Sequence, residues 1–235
     1  MKIRRSKERG YFANEWLKSF HSFSFGEYFD RNHMHFSDLR VINHDYIAEN
    51  SGFPRHPHRD MEIITYILKG TVEHQDSMEN KTQIKAGEVQ VMGAGTGVSH
   101  SEYNPSNETE LELLQIWVMP EKPGGAPTYD QKKFSREAKL NQLLKIISPD
   151  GSEDSLTIRQ DAYVFASILE KEKNLNVELK KDRCYWLQLA RGELVAQDQI
   201  LKTGDAMSFE AGELGSLQLK ANQESEFLIF NLRRV

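Results

Sequence analysis

The chain has 235 residues, 38% of them hydrophobic and 28% charged, with a formal net charge of −5. These values suit a folded protein with a sizeable core, and they exclude a dedicated nucleic-acid binder, which presents a basic face. No apolar run reaches the ~20 residues of a membrane-spanning helix and no apolar secretory segment opens the chain, so no membrane association and a cytoplasmic location are expected.

The basic tract Lys2 to Arg9 reads as the solvated side of a first strand. A dense aromatic group follows: Phe20, Phe23, Phe25, Tyr28 and Phe29. It either walls a flat apolar ligand or packs between sheets. The pair His33 and His35 lies in a polar stretch and reads as surface or loop. Leu39 to Ile47, Met61 to Leu68 and Leu111 to Met119 are β-rich runs bounded by Gly, Pro, Asn or Ser.

All eight histidines fall within the first 100 residues. His56-Pro57-His58 and His100-Ser101-Glu102 are each spaced i, i+2. On a strand such residues share a face, so two neighbouring strands would gather three imidazoles and one carboxylate around one point. Pro57 removes a backbone donor and suits a strand start or edge. Asp60 and Glu62 share the face of His58 if the strand runs unbroken. Glu102 is preferred over Glu62 as fourth ligand, which leaves Glu62 as a hydrogen-bond partner or a structural residue, while Asp60 either orients a ligand or is solvated. His21, His44 and His74 read as structural, and His74, on an alternating strand, is expected to face outward. Gly93, Gly95 and Gly97 supply positive φ for a tight turn ahead of His100.

The loop Pro120 to Pro127 breaks regular structure, and Phe134 to Ile147 carries an apolar face of Leu140, Leu143, Leu144 and Ile147, which predicts an amphipathic helix. Together they read as a connector between two domains, 1–133 and 134–235. An internal repeat supports this division. Ile84-Lys-Ala-Gly87-Glu and Leu201-Lys-Thr-Gly204-Asp share a pattern, and the spacing from Gly87 to Gly95 and from Gly204 to Gly212 is eight positions in both. Five residues past Gly95 stands His100; five past Gly212 stands Leu217. The second copy is expected to keep the scaffold without a metal site. Cys184 is the sole cysteine, so no intrachain disulfide forms and a reducing compartment is expected.

Three neutral imidazoles and a carboxylate suit a first-row divalent ion. A closed structural zinc site usually adds cysteine. Fe(II) is the favoured ion, and Zn, Ni, Mn, Co and Cu stay chemically open.

The spacing of His56-Pro-His58, Glu62, Gly70, then Gly87, Gly93, His100 and Asn104 resembles the two motifs of the cupin superfamily. Ser22-Phe-Ser-Phe25, His56-Pro-His58-Arg-Asp-Met-Glu-Ile63, Thr71-Val-Glu-His-Gln-Asp76 and His100-Ser-Glu102 narrow the likeness to the pirin family, closest to its bacterial members with quercetin 2,3-dioxygenase activity. The resemblance implies an all-β bicupin of two stacked double-stranded β-helix barrels, with metal only in the first. It carries the ligand roles over to His56, His58, His100 and Glu102. His33, His35 and His44 depart from the family pattern.

The activity implied is cleavage of a flavonol such as quercetin by dioxygen with release of carbon monoxide. Glu102 or a nearby carboxylate would take the substrate's hydroxyl proton. Two other classes stay open. One is a non-enzymatic metal-dependent regulatory protein with a protein partner and no direct contact with nucleic acid. The other is a metal-assisted isomerase or hydrolase, which would turn over without oxygen.

Overall fold

The computed structural model describes all 235 residues and is built almost wholly of strands. The first half forms one nine-stranded sheet. Along its main path the strands run Gly10–Ala13, Leu17–His21, Leu39–Ile47, Leu111–Val118, Ser51–Lys69, Glu88–Asn104, Thr71–Asp76 and Lys81–Lys85, while Thr128–Lys133 also pairs with Glu88–Asn104. The second half forms a seven-stranded and a four-stranded sheet. The seven-stranded sheet takes one edge from the far end of the chain: Lys2–Arg4 pairs with Ala206–Phe209. No helix is long and apolar enough to cross a membrane.

The β-rich runs read as nearly continuous apolar stretches because both their faces are covered. Ile64, Tyr66, Leu114, Ile116 and Val118 point toward the second half. There they join Ile146, Ile147, Val164, Trp186, Leu228 and Phe230 in a single cluster of 26 buried residues. The largest core is thus the seam between the two units. Ile67, Leu111 and Leu113 face the other way, into the first unit, with Leu17, Val72 and Ile84. The second unit fills its own interior with Leu187, Leu189, Leu194, Leu201, Met207, Leu217, Leu219, Phe227 and others.

The repeat is visible in the backbone. Gly70 and Gly87 have φ of 83° and 86°, and Gly192 and Gly204 have 98° and 85°. Ala86 N donates to Gly70 O, and Gly87 N to Ile67 O; in the second unit Thr203 N donates to Gly192 O, and Gly204 N to Leu189 O. These are the same two hydrogen bonds in each copy, closing the same turn with a left-handed residue that favours glycine.

The expected helix over Phe134 to Ile147 is reduced to one turn, Arg136–Lys139, capped by Ser135, whose Oγ accepts from Ala138 N. Asn141 takes a φ of 55°, which ends it. Leu144–Ser148 is a strand pairing with Ala162–Leu169. Its apolar residues satisfied a helical period by chance, whereas Ile146 and Ile147, β-branched and fully buried, suit a sheet. The Pro120 to Pro127 loop lies along the irregular parts of the two histidine-bearing strands. Gly124 N donates to Asp60 Oδ1 at 2.7 Å, and Thr96 N donates to Gly125 O at 2.8 Å.

Candidate metal centre

Ser51–Lys69 and Glu88–Asn104 pair directly, with His56 opposite His100. Two irregularities bracket the pair. Three steps from Phe53 to His56 oppose two from Glu102 to His100, and two steps from His58 to Asp60 oppose three from Val98 to Gly95. Bulges of this kind re-aim side chains. The glycines do not form the expected turn. They lie inside the strand, and Gly95 (φ 48°) sits so close to Gly125 O that a Cβ would stand 2.2 Å from it. Pro57 fits its place, because residues 51–61 of its strand pair on one side only; pairing with Leu111–Val118 begins at Glu62.

The three histidines come together. His100 Nε2 stands 3.0 Å from His58 Nε2 and 3.1 Å from His56 Nε2. Ligand bonds of about 2.0–2.1 Å at right angles would hold two donor nitrogens about 3.0 Å apart. Their tautomers can be followed outward. His56 Nδ1 lies 2.8 Å from Pro54 O, so it carries the proton and leaves Nε2 bare. Asp76 accepts from Met78 N, Asn80 N and Asn80 Nδ2, and pairs with His74 Nε2 at 3.0 Å. That leaves His74 Nδ1 to accept from His100 Nδ1 at 3.5 Å, and again Nε2 is bare. Two facing lone pairs 3.1 Å apart have no proton to share, so a cation is what such a pair fits. Burial and the neighbouring imidazoles push His58 down to about 4 and His100 down to about 3. Those two rings therefore stay neutral, the form that ligates a metal.

Glu102 sits on the same wall, fully buried. Oε1 accepts from Thr65 Oγ1 at 3.1 Å and Gln90 Nε2 at 2.7 Å, and Oε2 accepts from Gln115 Nε2 at 2.7 Å. A carboxylate has about four acceptor sites, so one remains, on Oε2. Two groups of potential ligands overlap at His100: one is His56, His58 and His100, the other His74, His100 and Glu102, with ligand atoms in each group within 4.8 Å of one another. Gly52 makes room behind them, since a Cβ there would meet Glu102 O at 2.2 Å.

His74 is fully buried rather than outward-facing, and it orients His100. From sequence neither it nor Asp76 was given a role at the centre; the i, i+2 spacing of His74 and Asp76 was the available signal. Glu62 turns away from the centre because Asp60, with φ of 67°, interrupts the strand between it and His58. Arg159 of the second unit holds both its oxygens, Nε at 3.1 Å from Oε1 and the backbone N at 3.2 Å from Oε2. His44 pairs with Glu112 at 2.8 Å, His33 with Asp30 at 2.7 Å and His35 with Ser37 O at 2.9 Å, all structural contacts.

A cavity of about 610 Å³ opens onto His56, His58 and Glu102. Phe25 and Tyr28 line it, as do Tyr11, Phe12, Phe53 and Trp117. Phe20, Phe23 and Phe29 do not. Phe23 packs on Trp186 in the seam, Phe20 stacks near Tyr11, and Phe29 is exposed. Away from the histidines and Glu102, the polar part of the wall, unforeseen from sequence, is Ser19, His21, Glu27, Asn43, Asp45 and Gln115. Burial, opposed by a hydrogen bond from Ser19 and assisted by the charge of Glu102, raises the Asp45 carboxyl to about 7. Burial and nearby Arg9 lower His21 to about 4.

Comparison with known proteins gives a consistent picture. Residues 2–118 match the Pirin family model, and residues 145–232 match the model for the quercetinase C-terminal cupin domain. The chain is 44% identical to a quercetin 2,3-dioxygenase of Escherichia coli K12, covering 98% of this chain and 97% of that one. It is also 44% identical to a pirin-like protein of Caulobacter vibrioides, over 75% of this chain and 76% of that one. Among solved structures, the bacterial pirin YhhW of Escherichia coli in complex with nickel(II) superposes with a TM-score of 0.93 at 42% identity, covering 100% and 99% of the two chains.

Proposed function

The chain belongs to the pirin family, and from that premise we propose that it is a metal-dependent dioxygenase that opens flavonols such as quercetin with release of carbon monoxide. His56, His58, His100 and Glu102 would hold one divalent transition metal, Fe(II) in the first instance. The observation that carries this reading is the convergence of three Nε2 atoms, two of them left bare by the hydrogen bonds of their Nδ1 atoms, beside a cavity with aromatic walls that His56 and His58 line. The nickel(II) complex of YhhW, 42% identical to this chain, supports a divalent transition metal as the ion. Bound there, the ion supplies Lewis acidity and access to dioxygen.

The protein's own residues do the rest. Phe25, Tyr28, Phe53 and Trp117 sandwich a planar ligand and exclude water. Glu102 is fixed by Thr65, Gln90 and Gln115 so that only its free Oε2 site acts, either toward the ion or toward the substrate's hydroxyl proton, one at a time. We place the protein in the cytoplasm, with flavonol and dioxygen as its partners.

The test joins metal analysis of anaerobically purified protein to an oxygen-electrode assay with quercetin and detection of carbon monoxide. Oxygen uptake matched by carbon monoxide, and lost in His56→Ala and His100→Ala, is the expected result. Turnover that survives in those variants, or that proceeds without oxygen, overturns it.

A further inference from the structure

One row of inward-facing residues crosses five strands of the first unit. Register pairs His21 with Asn43, Asn43 with Gln115, Gln115 with Thr65, and Thr65 with Gln90. Every member is polar and buried. A closed β-interior normally carries apolar side chains here, because each buried polar group without a partner costs about 1–3 kcal/mol. Three of the five meet that demand on Glu102: Gln115, Thr65 and Gln90 all donate to its carboxylate.

The other two do not. His21 Nδ1 and Asn43 Oδ1 have no hydrogen-bond partner in the protein. The chemistry of His21 Nδ1 follows from its neighbours two residues along the same strands, where Ser19 faces Asp45. Ser19 Oγ donates to Asp45 Oδ1. Its lone pair then accepts from His21 Nε2–H at 2.8 Å. Nδ1 is therefore a bare acceptor, as is Asn43 Oδ1. Directly opposed residues have Cβ atoms ~5 Å apart across a sheet, so these two side chains are neighbours. Both residues line the same cavity as His56, His58 and Glu102. From Leu39–Ile47 to Ser51–Lys69 is two strand spacings, about 10 Å across the sheet, a span suited to a molecule of two or three fused or linked rings. A third unpartnered polar atom, Trp117 Nε1, belongs to the same wall and is a donor; its ring meets His58 edge-on at 5.0 Å between centroids.

We propose that His21 and Asn43 form a receiving site for two neighbouring hydroxyls of the ligand, so that the substrate is a planar phenol held at both ends. One end presents its enolic oxygen to the three imidazoles. The other donates a vicinal hydroxyl pair to Asn43 Oδ1 and His21 Nδ1. The assignment of the first end rests on the dioxygenase reading; the receiving site rests on the unpartnered acceptors. Both are positioning residues that select the substrate and do not touch the reacting atoms. Asp45 and Ser19 act through His21, holding its proton on Nε2.

The experiment compares quercetin with galangin, the same flavonol without the two hydroxyls on its pendant ring. Binding to the metal-loaded protein is measured anaerobically, by quenching of tryptophan fluorescence, and turnover is measured in air. The native protein is expected to bind quercetin more tightly by roughly tenfold or more, the scale of one to two hydrogen bonds to otherwise unsatisfied groups. In Asn43→Ala the preference for quercetin over galangin in Kd, and in kcat/KM through KM rather than kcat, is expected to fall by about tenfold. The conservative Asn43→Asp keeps an acceptor and is expected to restore part of the preference, which a merely structural role for the carboxamide would not do. Equal binding of the two flavonols by the native protein, a result needing no variant, overturns the receiving site. So does an unchanged preference in Asn43→Ala. If quercetin binds with the stated preference but consumes no oxygen, the receiving site stands and the dioxygenase reading falls.

Discussion

The two units share a turn and differ in what they put inside. In each, a pair of left-handed glycines closes the same hydrogen bonds, Gly70 and Gly87 in the first, Gly192 and Gly204 in the second. The second unit then packs its interior with leucines, Met207 and Phe227. The first keeps a smaller apolar cluster around Ile67, Leu111 and Leu113 and gives the rest of its interior to a polar row, three imidazoles, a carboxylate and a cavity of about 610 Å³. At corresponding positions five residues past a glycine stand His100 and Leu217, both buried. Scaffold and chemistry are therefore written in different residues. Turn glycines carry the first, and inward positions on the strands carry the second.

Making the first unit resemble the second is the severest way to break this contrast. His100→Leu removes the residue at which both ligand groups overlap. Metal content by elemental analysis is expected to fall to background and flavonol turnover to disappear, while the far-ultraviolet dichroism of a β-protein is retained. Loss of the outer residues should be milder. Asp76→Asn or His74→Ala unsettles the His100 tautomer, and metal affinity is expected to drop by about 10–100-fold, measured by competition with a chelator.

The converse substitution, Leu217→His, places a lone imidazole in an apolar interior. It is expected to bind no second metal and to destabilise the protein by about 1–3 kcal/mol, read from urea unfolding. A second equivalent of tightly held metal would contradict the view that the whole inward set is needed.

The finest distinction is in pH dependence. Asp45 has its carboxyl raised to about 7 in the folded protein by burial. The folded state therefore holds a proton that the unfolded chain releases near pH 4. The associated stability is complete below that pH and is lost as pH rises through about 7. Asp45→Asn cannot titrate, so its stability relative to the native protein should improve steadily from pH 4 to 7 and then level off. A difference that stays constant over that range would show that Asp45 is ionised throughout. His21, lowered to about 4, has the opposite sign: its stability is present above the ordinary histidine range and is lost as pH falls through about 4. It is common to both proteins and drops out of the difference.

Strand content, the repeat and the two i, i+2 pairs were legible because they depend on local period and spacing. The pairs did meet across neighbouring strands, since His56 and His100 are register partners. Glu62 shares the His58 face only on an unbroken strand, and the bulge that breaks it leaves no local mark in sequence beyond a permissive residue such as Asp60. The helix over Phe134 to Ile147 failed for a related reason. Four apolar residues fit a helical period, but the sheet they join lies elsewhere in the chain.

What the sequence determined by itself was the kind of unit and its repetition, an all-β chain whose glycines close matching turns and whose histidines are confined to one copy. What only the tertiary structure decided was which polar residues share a wall. His21, Asn43, Gln115, Thr65 and Gln90 span nearly 100 positions without a recognisable spacing, yet strand register sets them side by side. Register is settled by long-range pairing and by bulges, and each shift of one residue turns a side chain to the opposite face.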